Sequence, residues 1–263
     1  MTRSGLRRFD AYIFDLDGTI YVDDELIPGA DETIARLRAE GARVAFVTNH
    51  PLHPATDYAE RLTRLGIPTD PTEIVTSVDA LVRYLHQTHP GATVLPISEA
   101  EVRRRLTADG FEVTDDPHAA DVVVVSFDRT FDYAKLLAGY RAVRERGAAI
   151  VATNPDPFCP TRDGGLPDCA AMLAALEACS GGRAEAVVGK PSRHMVAAVL
   201  DRLDVAPEAT AVVGDRPATD VAMGQSIGAT GILVLSGATS AAEAAAGDVR
   251  PDHTLDSIRD LIS

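Results

Sequence analysis

The chain has 263 residues, enough for a core domain and a second one, and its 46% hydrophobic and 24% charged residues are ordinary for a globular protein. A formal net charge of −14 argues against a nucleic-acid partner, because phosphate backbones are bound by clusters of Lys and Arg. No apolar run approaches the ~20 residues of a membrane-spanning helix and no signal peptide precedes the first strand, so we expect a cytoplasmic protein with no membrane partner.

Apolar, strand-like runs alternate with helical patterns from one end of the chain to the other. The strand-like runs are Ala11–Phe14, Arg43–Val47, Glu73–Val75, Thr93–Ile97, Asp121–Val125, Ala148–Ala152, Ala186–Val188, Thr210–Val213 and Gly231–Leu235. The helical patterns include Ala30–Glu40, Pro54–Leu65, Val78–Leu85, Asp132–Arg146, Ser192–Leu203, Thr219–Ser226 and Ala241–Ala246. Runs that are apolar on both faces indicate parallel strands covered by helices, so the predicted fold class is α/β.

Glycines and prolines divide these elements. Several helical patterns end in a glycine just before the next strand, which favours the left-handed closing residue of a helix. These glycines are Gly41, Gly66, Gly110 and Gly147. The segment Pro155–Pro167 holds four prolines and predicts an ordered loop rather than a helix.

The first apolar run ends in two acids, Asp15 and Asp17. Residues i and i+2 of a strand point to the same face, so these carboxylates leave the strand side by side and repel unless a metal ion or a shared proton compensates them. A calcium loop would need Gly and Glu at its sixth and twelfth positions, which here hold Ile20 and Leu26. A simple polar turn is the alternative that this segment alone leaves open.

Polar residues also end three other apolar runs. Ligands of open α/β sheets bind beyond the carboxyl ends of the strands, so these positions are candidates for one shared site. They are Thr48 with Asn49, Gly189 with Lys190, and Gly214 with Asp215, followed by Asp220. A polar loop residue can follow one strand by chance, but chance explains polar residues after four different strands less well.

These residue types suit phosphoryl transfer, which needs a nucleophile, an acid, a hard cation and donors to the phosphate oxygens. Asp15 can attack to form an aspartyl-phosphate, and Asp17 can act as general acid and base. Mg²⁺ can be held by Asp15, Asp215 and the backbone carbonyl of Asp17. The expected donors to the phosphate are Thr48, Asn49 and Lys190, with Asp220 orienting Lys190 or a metal-bound water.

The order and spacing of these motifs resemble the haloacid dehalogenase (HAD) superfamily. The matches are Asp15–Thr19, in which Gly18 and Thr19 support the two acids, Thr48–Asn49, Lys190 within Gly-Lys-Pro, Gly214–Arg216 and Thr219–Asp220. The segments Glu73–Ser77, Asp128–Arg129 with Asp132–Tyr133, and Ala152–Asp156 resemble the NagD-like or p-nitrophenyl phosphatase branch with a type IIA α/β cap.

The resemblance implies a fold and an activity. It implies a Rossmann-like parallel-sheet core over residues 1–76 and 186–263, with an inserted α/β cap over 77–185 that excludes water and reads the leaving group. It implies a Mg²⁺-dependent phosphatase for small phosphate monoesters, such as a sugar phosphate or a nucleoside monophosphate. Two alternatives stay open: a phosphomutase or other phosphotransferase, and a non-catalytic phosphate-binding regulatory protein. A homodimer through the cap is a further expectation, since caps of this branch often take part in dimers.

Two positions depart from the family pattern. His50 stands where relatives have a second Asn, and Pro167–Ala170 reads Pro-Asp-Cys-Ala where they tend to read Pro-Gly-Ala-Gly. We therefore expect His50 and Asp168 to contact or screen the leaving group. The alternative is that His50 caps the next helix and that Asp168 faces solvent.

The three cysteines complete the inventory of reactive side chains. Cys159, Cys169 and Cys179 are odd in number and lack Cys-x-x-Cys spacing. A zinc cluster or a disulfide framework is therefore not expected, and the sequence predicts reduced, structural thiols.

Overall fold

The computed structural model describes residues 6–161 and 164–262. Its strands are β1 (Ala11–Asp15), β2 (Tyr21–Val22), β3 (Glu25–Leu26), β4 (Arg43–Thr48), β5 (Ile74–Thr76), β6 (Thr93–Ile97), β7 (Glu112–Val113), β8 (Val122–Val125), β9 (Ala149–Ala152), β10 (Phe158–Thr161), β11 (Gly164–Pro167), β12 (Ala184–Val187), β13 (Thr210–Gly214), β14 (Thr230–Val234) and β15 (His253–Leu255).

Helices connect most of these strands. The α-helices are α1 (Ala30–Ala39), α2 (Ala55–Arg64), α3 (Ser77–Thr88), α4 (Ala100–Ala108), α5 (Tyr133–Arg141), α6 (Cys169–Ser180), α7 (Arg193–Leu203), α8 (Ala222–Gln225) and α9 (Ala241–Ala246). Single π-helical turns at Ala142–Arg146 and Pro217–Val221 extend α5 and precede α8. Within the described ranges, no helix combines the length and the apolar surface that crossing a bilayer requires.

The chain divides into two compact units. The first unit contains the residues up to Thr48, Ala55–Val75 and the residues from Val196 on. The second unit contains Asn49–Pro54 and Thr76–Met195. The second unit is therefore longer than the cap expected at 77–185, and its role as a cap stays a prediction.

A six-stranded sheet forms the centre of the first unit, in the order β15-β14-β13-β1-β4-β5. The central strand β1 runs parallel to both neighbours, with Ala11 opposite Thr210 on one side and Arg43 on the other. Every residue of β1 and β13 is buried, which is why both read as continuous apolar runs rather than as alternating ones. The packed core on this sheet includes Phe14, Phe46 and Ile232.

A five-stranded sheet forms the centre of the second unit, in the order β12-β9-β8-β6-β7. Its pairs are parallel as well, and all four valines of β8 are buried between the layers of helices. The two parallel sheets with flanking helices confirm the predicted α/β class.

Two short hairpins lie outside these sheets. The first joins β2 to β3 with Tyr21 opposite Leu26, and the second joins β10 to β11 with Phe158 opposite Pro167. The prediction of a loop over Pro155–Pro167 is therefore wrong for most of that segment. A two-stranded ribbon leaves half of its backbone donors outside the ladder, so it tolerates prolines that a central strand excludes.

The glycines predicted to close helices do so. Gly41, Gly66, Gly110 and Gly147 have φ angles of 91°, 97°, 89° and 70°. These angles lie in the left-handed region that glycine adopts without a steric penalty.

Candidate active site

Three carboxylates meet at the carboxyl end of the six-stranded sheet. Asp15 is the last residue of β1, Asp215 follows β13, and Asp220 lies in the π-helical turn Pro217–Val221. One carboxylate oxygen from each lies within 4.8 Å of the other two. The three residues are 9%, 3% and 1% exposed. The parallel pairing of β1 with β13 produces this meeting, because it brings the ends of two strands distant in sequence side by side.

Glycines leave room for these carboxylates. A Cβ on Gly18 would lie 2.3 Å from Asp215 Oδ2, and one on Gly237 would lie 2.1 Å from the same atom. A Cβ on Gly214 would lie 2.3 Å from the Cβ of Asp220. Backbone amides then fix both acids: Ala238 N–H donates to Asp215 Oδ2 at 2.6 Å and Arg216 N–H donates to Asp220 Oδ2 at 3.0 Å.

The donor set fits a divalent cation. Three carboxylates this close repel one another unless a cation or a proton compensates them, and hard oxygen ligands are those that Mg²⁺ prefers. The sequence assigned Asp15, Asp215 and Asp17 to the metal and gave Asp220 a supporting role. In the structure the side chain of Asp220 joins the cluster, whereas the side chain of Asp17 is exposed. Ligation through the Asp17 carbonyl stays a prediction.

Backbone hydrogen bonds fix the turn that carries Asp17. The Leu16 carbonyl accepts the amides of Thr19, Ile20 and Tyr21 at 3.2, 2.9 and 3.3 Å. The N–H of Gly18 donates to the Tyr21 carbonyl at 2.8 Å, and Ser236 Oγ donates to the Gly18 carbonyl at 2.8 Å. Asp17 therefore projects from a closed turn, while its neighbour Thr19 is fully buried.

Thr48 and Asn49 end the strand next to β1. Thr48 is the last residue of β4, at the carboxyl edge of the sheet, and it is 3% exposed. Asn49 belongs to the second unit, and its carboxamide bonds there to the side chain of Asp156 and to the backbone of Lys190. Its Nδ2 donates to Asp156 Oδ2 at 2.9 Å and to the Lys190 carbonyl at 3.3 Å, and its Oδ1 accepts from Lys190 N–H at 2.7 Å.

These bonds give Asn49 a function that the sequence did not suggest. Both hydrogens of its Nδ2 are donated within the second unit, so the Asn49 carboxamide holds the backbone of Lys190 in place, and its role as a donor to the phosphate stays a prediction. The Asn49 carbonyl accepts from Ser77 Oγ at 2.7 Å and from Asn154 Nδ2 at 3.2 Å. Ser77, Asn154 and Asp156 stand in segments that carried the family resemblance, which is the one sequence signal that pointed to them.

Lys190 is held in a confined place. It is 4% exposed, and a Cβ on the preceding Gly189 would lie 2.5 Å from the Thr153 carbonyl and 2.6 Å from Asn49 Oδ1. Packing therefore requires the glycine, which allows the chain to pass close to Asn49, and the Lys190 N–H that donates to Asn49 Oδ1 fixes the backbone at the next position.

Asp168 and His50 both lie in the second unit. Asp168 is the N-cap residue of α6: its Oδ1 accepts the N–H of Cys169 at 2.5 Å and Asn154 Nδ2 at 3.4 Å. It is 4% exposed, so the alternative in which it faces solvent is wrong. The half-buried His50 ring meets Phe127 edge-on at a centroid distance of 5.6 Å and stacks at 6.1 Å on His53. Contact of either residue with a leaving group stays a prediction.

The three cysteines differ in their exposure: Cys169 is buried and Cys159 is half-buried. Burial raises the pKa of Cys169 to about 11, and its Sγ–H donates to the Val125 carbonyl at 3.3 Å. Cys179 is exposed. A thiol with so high a pKa is protonated at neutral pH, so Cys169 acts as a small core residue beside the Asp168 cap.

The chain is similar in sequence and in structure to known proteins. A family model described as haloacid dehalogenase-like hydrolase matches residues 12–112, and one described as HAD-hydrolase-like matches residues 187–261. The chain is 33% identical to the sugar-phosphatase AraL of Bacillus subtilis, over 95% of this chain and 90% of that protein. It is 33% identical to chronophin of Homo sapiens, over 98% and 94%. It is similar in structure to the 4-nitrophenylphosphatase of Thermotoga maritima, with a TM-score of 0.91, 30% identity, and 97% and 96% of the two chains covered.

Proposed function

This chain belongs to the haloacid dehalogenase-like hydrolases and is a phosphatase, and we propose that it hydrolyses small phosphate monoesters through an aspartyl-phosphate on Asp15. The predicted family and its NagD-like, p-nitrophenyl phosphatase branch are thereby confirmed. The observation that carries the proposal is the cluster of Asp15, Asp215 and Asp220, three buried acids at the carboxyl end of one parallel sheet.

The first half-reaction forms the covalent intermediate. An oxygen of Asp15 attacks phosphorus, the ester P–O bond breaks, and Asp17 gives its proton to the departing oxygen. The exposure of Asp17 suits this role, because the acid must reach the leaving group while the nucleophile stays on the strand. The products are an alcohol, the phosphorylated Asp15 and an ionised Asp17.

The second half-reaction restores the enzyme. Asp17, now ionised, takes a proton from a water molecule whose oxygen attacks phosphorus. The bond between Asp15 and phosphorus breaks, inorganic phosphate leaves, and both acids return to their starting protonation states. One residue thus serves as acid and then as base.

Mg²⁺ is the cation that we propose for the cluster. Asp15 and Asp215 would hold it, with Asp220 beside them. When bound, it would neutralise the crowded carboxylates and the charge of the phosphate. The roles of Thr48, Asn49 and Lys190 as donors to the phosphate oxygens stay predictions from the sequence motifs.

The substrate is a small phosphate ester. Two of the relatives named above act, by their names, on sugar phosphates and on 4-nitrophenyl phosphate. We propose a sugar phosphate, a nucleoside monophosphate or a similar monoester as substrate, and a homodimer through the cap expected at 77–185 as the assembly.

The experiment that tests the function is release of inorganic phosphate with and without Mg²⁺, first from 4-nitrophenyl phosphate and then from a panel of alkyl phosphates. We expect turnover that chelation of Mg²⁺ abolishes. Asp15→Asn, which keeps the shape but loses the nucleophile, should remove at least about 10³ of the rate. No turnover across the panel with Mg²⁺ present would favour a phosphate-binding protein, and transfer of phosphate to a second sugar would favour a mutase.

A further inference from the structure

Two of the buried polar atoms that have no hydrogen-bond partner among the described residues belong to side chains that contact each other next to the Asp17 turn. They are the hydroxyl of Tyr21 and Nε of Arg61. Tyr21 is fully buried, and the Arg61 side chain is 25% exposed. Buried polar groups in native proteins are nearly always hydrogen-bonded, so two unsatisfied ones in contact with each other require an explanation other than stability.

The contact between these two side chains is a stack. The Arg61 guanidinium carbon lies 4.1 Å from the centroid of the Tyr21 ring, within the range of a cation–π interaction. The guanidinium is fixed a second time, because its Nη2 donates to the Asp23 carbonyl and to Asp24 Oδ1, the latter at 3.1 Å. Arg61 therefore attaches the hairpin of β2 and β3 to helix α2.

The hairpin in turn determines the position of Asp17. Tyr21 and Asp17 form a β-bridge, and the Tyr21 carbonyl accepts the N–H of Gly18 at 2.8 Å. The turn between β2 and β3 places Asp23 at a φ of 50°, a left-handed conformation that is uncommon for non-glycine residues and that Asp adopts more often than most of them. Movement of Tyr21 therefore moves the backbone on which Asp17 stands.

Electrostatics link the same residues. Burial raises the pKa of Tyr21, and the charges of Asp17 and Asp15 raise it further, whereas Arg61 lowers it. The phenol is therefore neutral at all physiological pH values and contributes a ring, not a charge, beneath the guanidinium.

We propose that the stack of Arg61 on Tyr21 is a positioning pair for Asp17, which holds the Asp17 turn where its carboxyl can protonate the leaving oxygen. This inference rests on the proposed role of Asp17 as the general acid. Neither Arg61 nor Tyr21 is a catalytic residue in this account, because both act through the turn.

Leaving-group dependence distinguishes positioning from a general loss of folding. An alkoxide must be protonated as it departs, whereas 4-nitrophenolate is a far weaker base and departs without that help. A misplaced Asp17 therefore lowers kcat/KM for an alkyl phosphate more than for 4-nitrophenyl phosphate. A smaller fraction of folded enzyme would lower both values equally.

The test measures kcat/KM for glycerol phosphate and for 4-nitrophenyl phosphate in four proteins: the native chain, Asp17→Asn, Arg61→Met and Arg64→Met. General acid catalysis contributes ~10²–10⁴, so Asp17→Asn should show a loss of that order that falls mainly on the alkyl ester. Arg61→Met should show the same selectivity with a smaller loss, about tenfold. Arg64 lies on the same helix and is exposed, so Arg64→Met should behave like the native chain.

The outcomes separate the two proposals. Equal losses on both esters in Arg61→Met, with a selective loss in Asp17→Asn, would overturn the positioning pair and leave the proposed function intact. Equal losses in Asp17→Asn itself would remove the general acid and this inference with it. If Arg61→Met does not fold, Arg61→Lys keeps the stem and the charge but loses the planar fork, and the same selective loss is expected of it.

Discussion

Gly237 occupies a position that no other residue could fill without displacing Asp215. A Cβ there would lie 2.1 Å from Asp215 Oδ2, well inside van der Waals contact, and the chain passes this close to a carboxylate that already accepts the N–H of Ala238. At the scale of single residues, the glycines therefore set the geometry of the metal ligands.

Gly237→Ala should accordingly weaken Mg²⁺ binding. The added methyl must push the Asp215 carboxylate away from Asp15, and we expect the Mg²⁺ concentration for half-maximal activity to rise by at least about tenfold, or ~1.4 kcal/mol. Gly247→Ala is the matched control, because its Cβ would meet no atom nearer than Glu243 O at 3.4 Å. An unchanged Mg²⁺ requirement in Gly237→Ala would show that Asp215 does not hold the ion in this orientation.

Tyr21→Phe should make the protein more stable. The mutation removes a buried hydroxyl that has no partner among the described residues, and we expect the free energy of unfolding to rise by about 1 kcal/mol. Tyr12 provides the comparison, because it is also buried but its hydroxyl accepts the N–H of Phe9 at 3.4 Å. Tyr12→Phe should lower stability by about 0.5–1.5 kcal/mol. Urea unfolding of both variants checks the prediction, and a loss of stability in Tyr21→Phe would contradict it.

At the scale of elements, two roles can be tested for Asp168 at the N-terminus of α6: capping the helix and contacting the leaving group. Asp168→Asn keeps an oxygen that can cap the helix and removes the charge, whereas Asp168→Ala removes both and should cost about 1 kcal/mol of stability. If the charge faces the leaving group, Asp168→Asn will change the ranking of esters by kcat/KM with stability retained. His50→Asn, which restores the residue usual in relatives, should also change that ranking. If the native chain, Asp168→Asn and His50→Asn all rank the esters in the same order, Asp168 serves only as the cap of the helix.

The elements themselves were predictable to different degrees. Nine of the eleven described strands of the parallel sheets were predicted to within two residues, because strands buried on both faces have continuous apolar sequences. The short edge strands β7 and β15 were not predicted. The hairpins β2–β3 and β10–β11 were not predicted, since two to four residues carry too short a pattern. Helix α6 was missed because its Ala-rich sequence is apolar around most of its circumference and shows no helical period.

The candidate site was predictable where a functional side chain lies at the end of a strand, as at Asp15 and Asp215. The residues that hold these side chains in place were not predictable. Asn49 bonds to residues 107 and 141 positions away in sequence, and no local pattern encodes such a contact. The entry of Asp220 into the cluster depends on the register of β1 against β13 and on a π-helical turn, which only the folded chain specifies.

At the scale of the molecule, all three clustered acids belong to the first unit. A ligand that binds only the native state stabilises it by about 2.7 kcal/mol at a concentration of 100 Kd. Hydrogen exchange with and without Mg²⁺ should therefore show greater protection of β1 and β13 in the first unit than of β6 and β8 in the second. Asp215→Asn should abolish the difference. Equal protection of both sheets would mean that they exchange through one shared unfolding reaction.

The strand order of the six-stranded sheet has a consequence for how the protein is made. Ala11 in the central strand pairs with Thr210, so β1 leaves the ribosome long before the neighbour on one of its sides exists. At about 5–20 residues per second, that delay is on the order of ten seconds or more. The strands β6 to β12 are synthesised in the interval and can complete their own sheet first. Until β13 is synthesised, one edge of the strand that carries Asp15 has unpaired backbone groups that can pair with another chain. This nascent intermediate is therefore the state that most needs a chaperone.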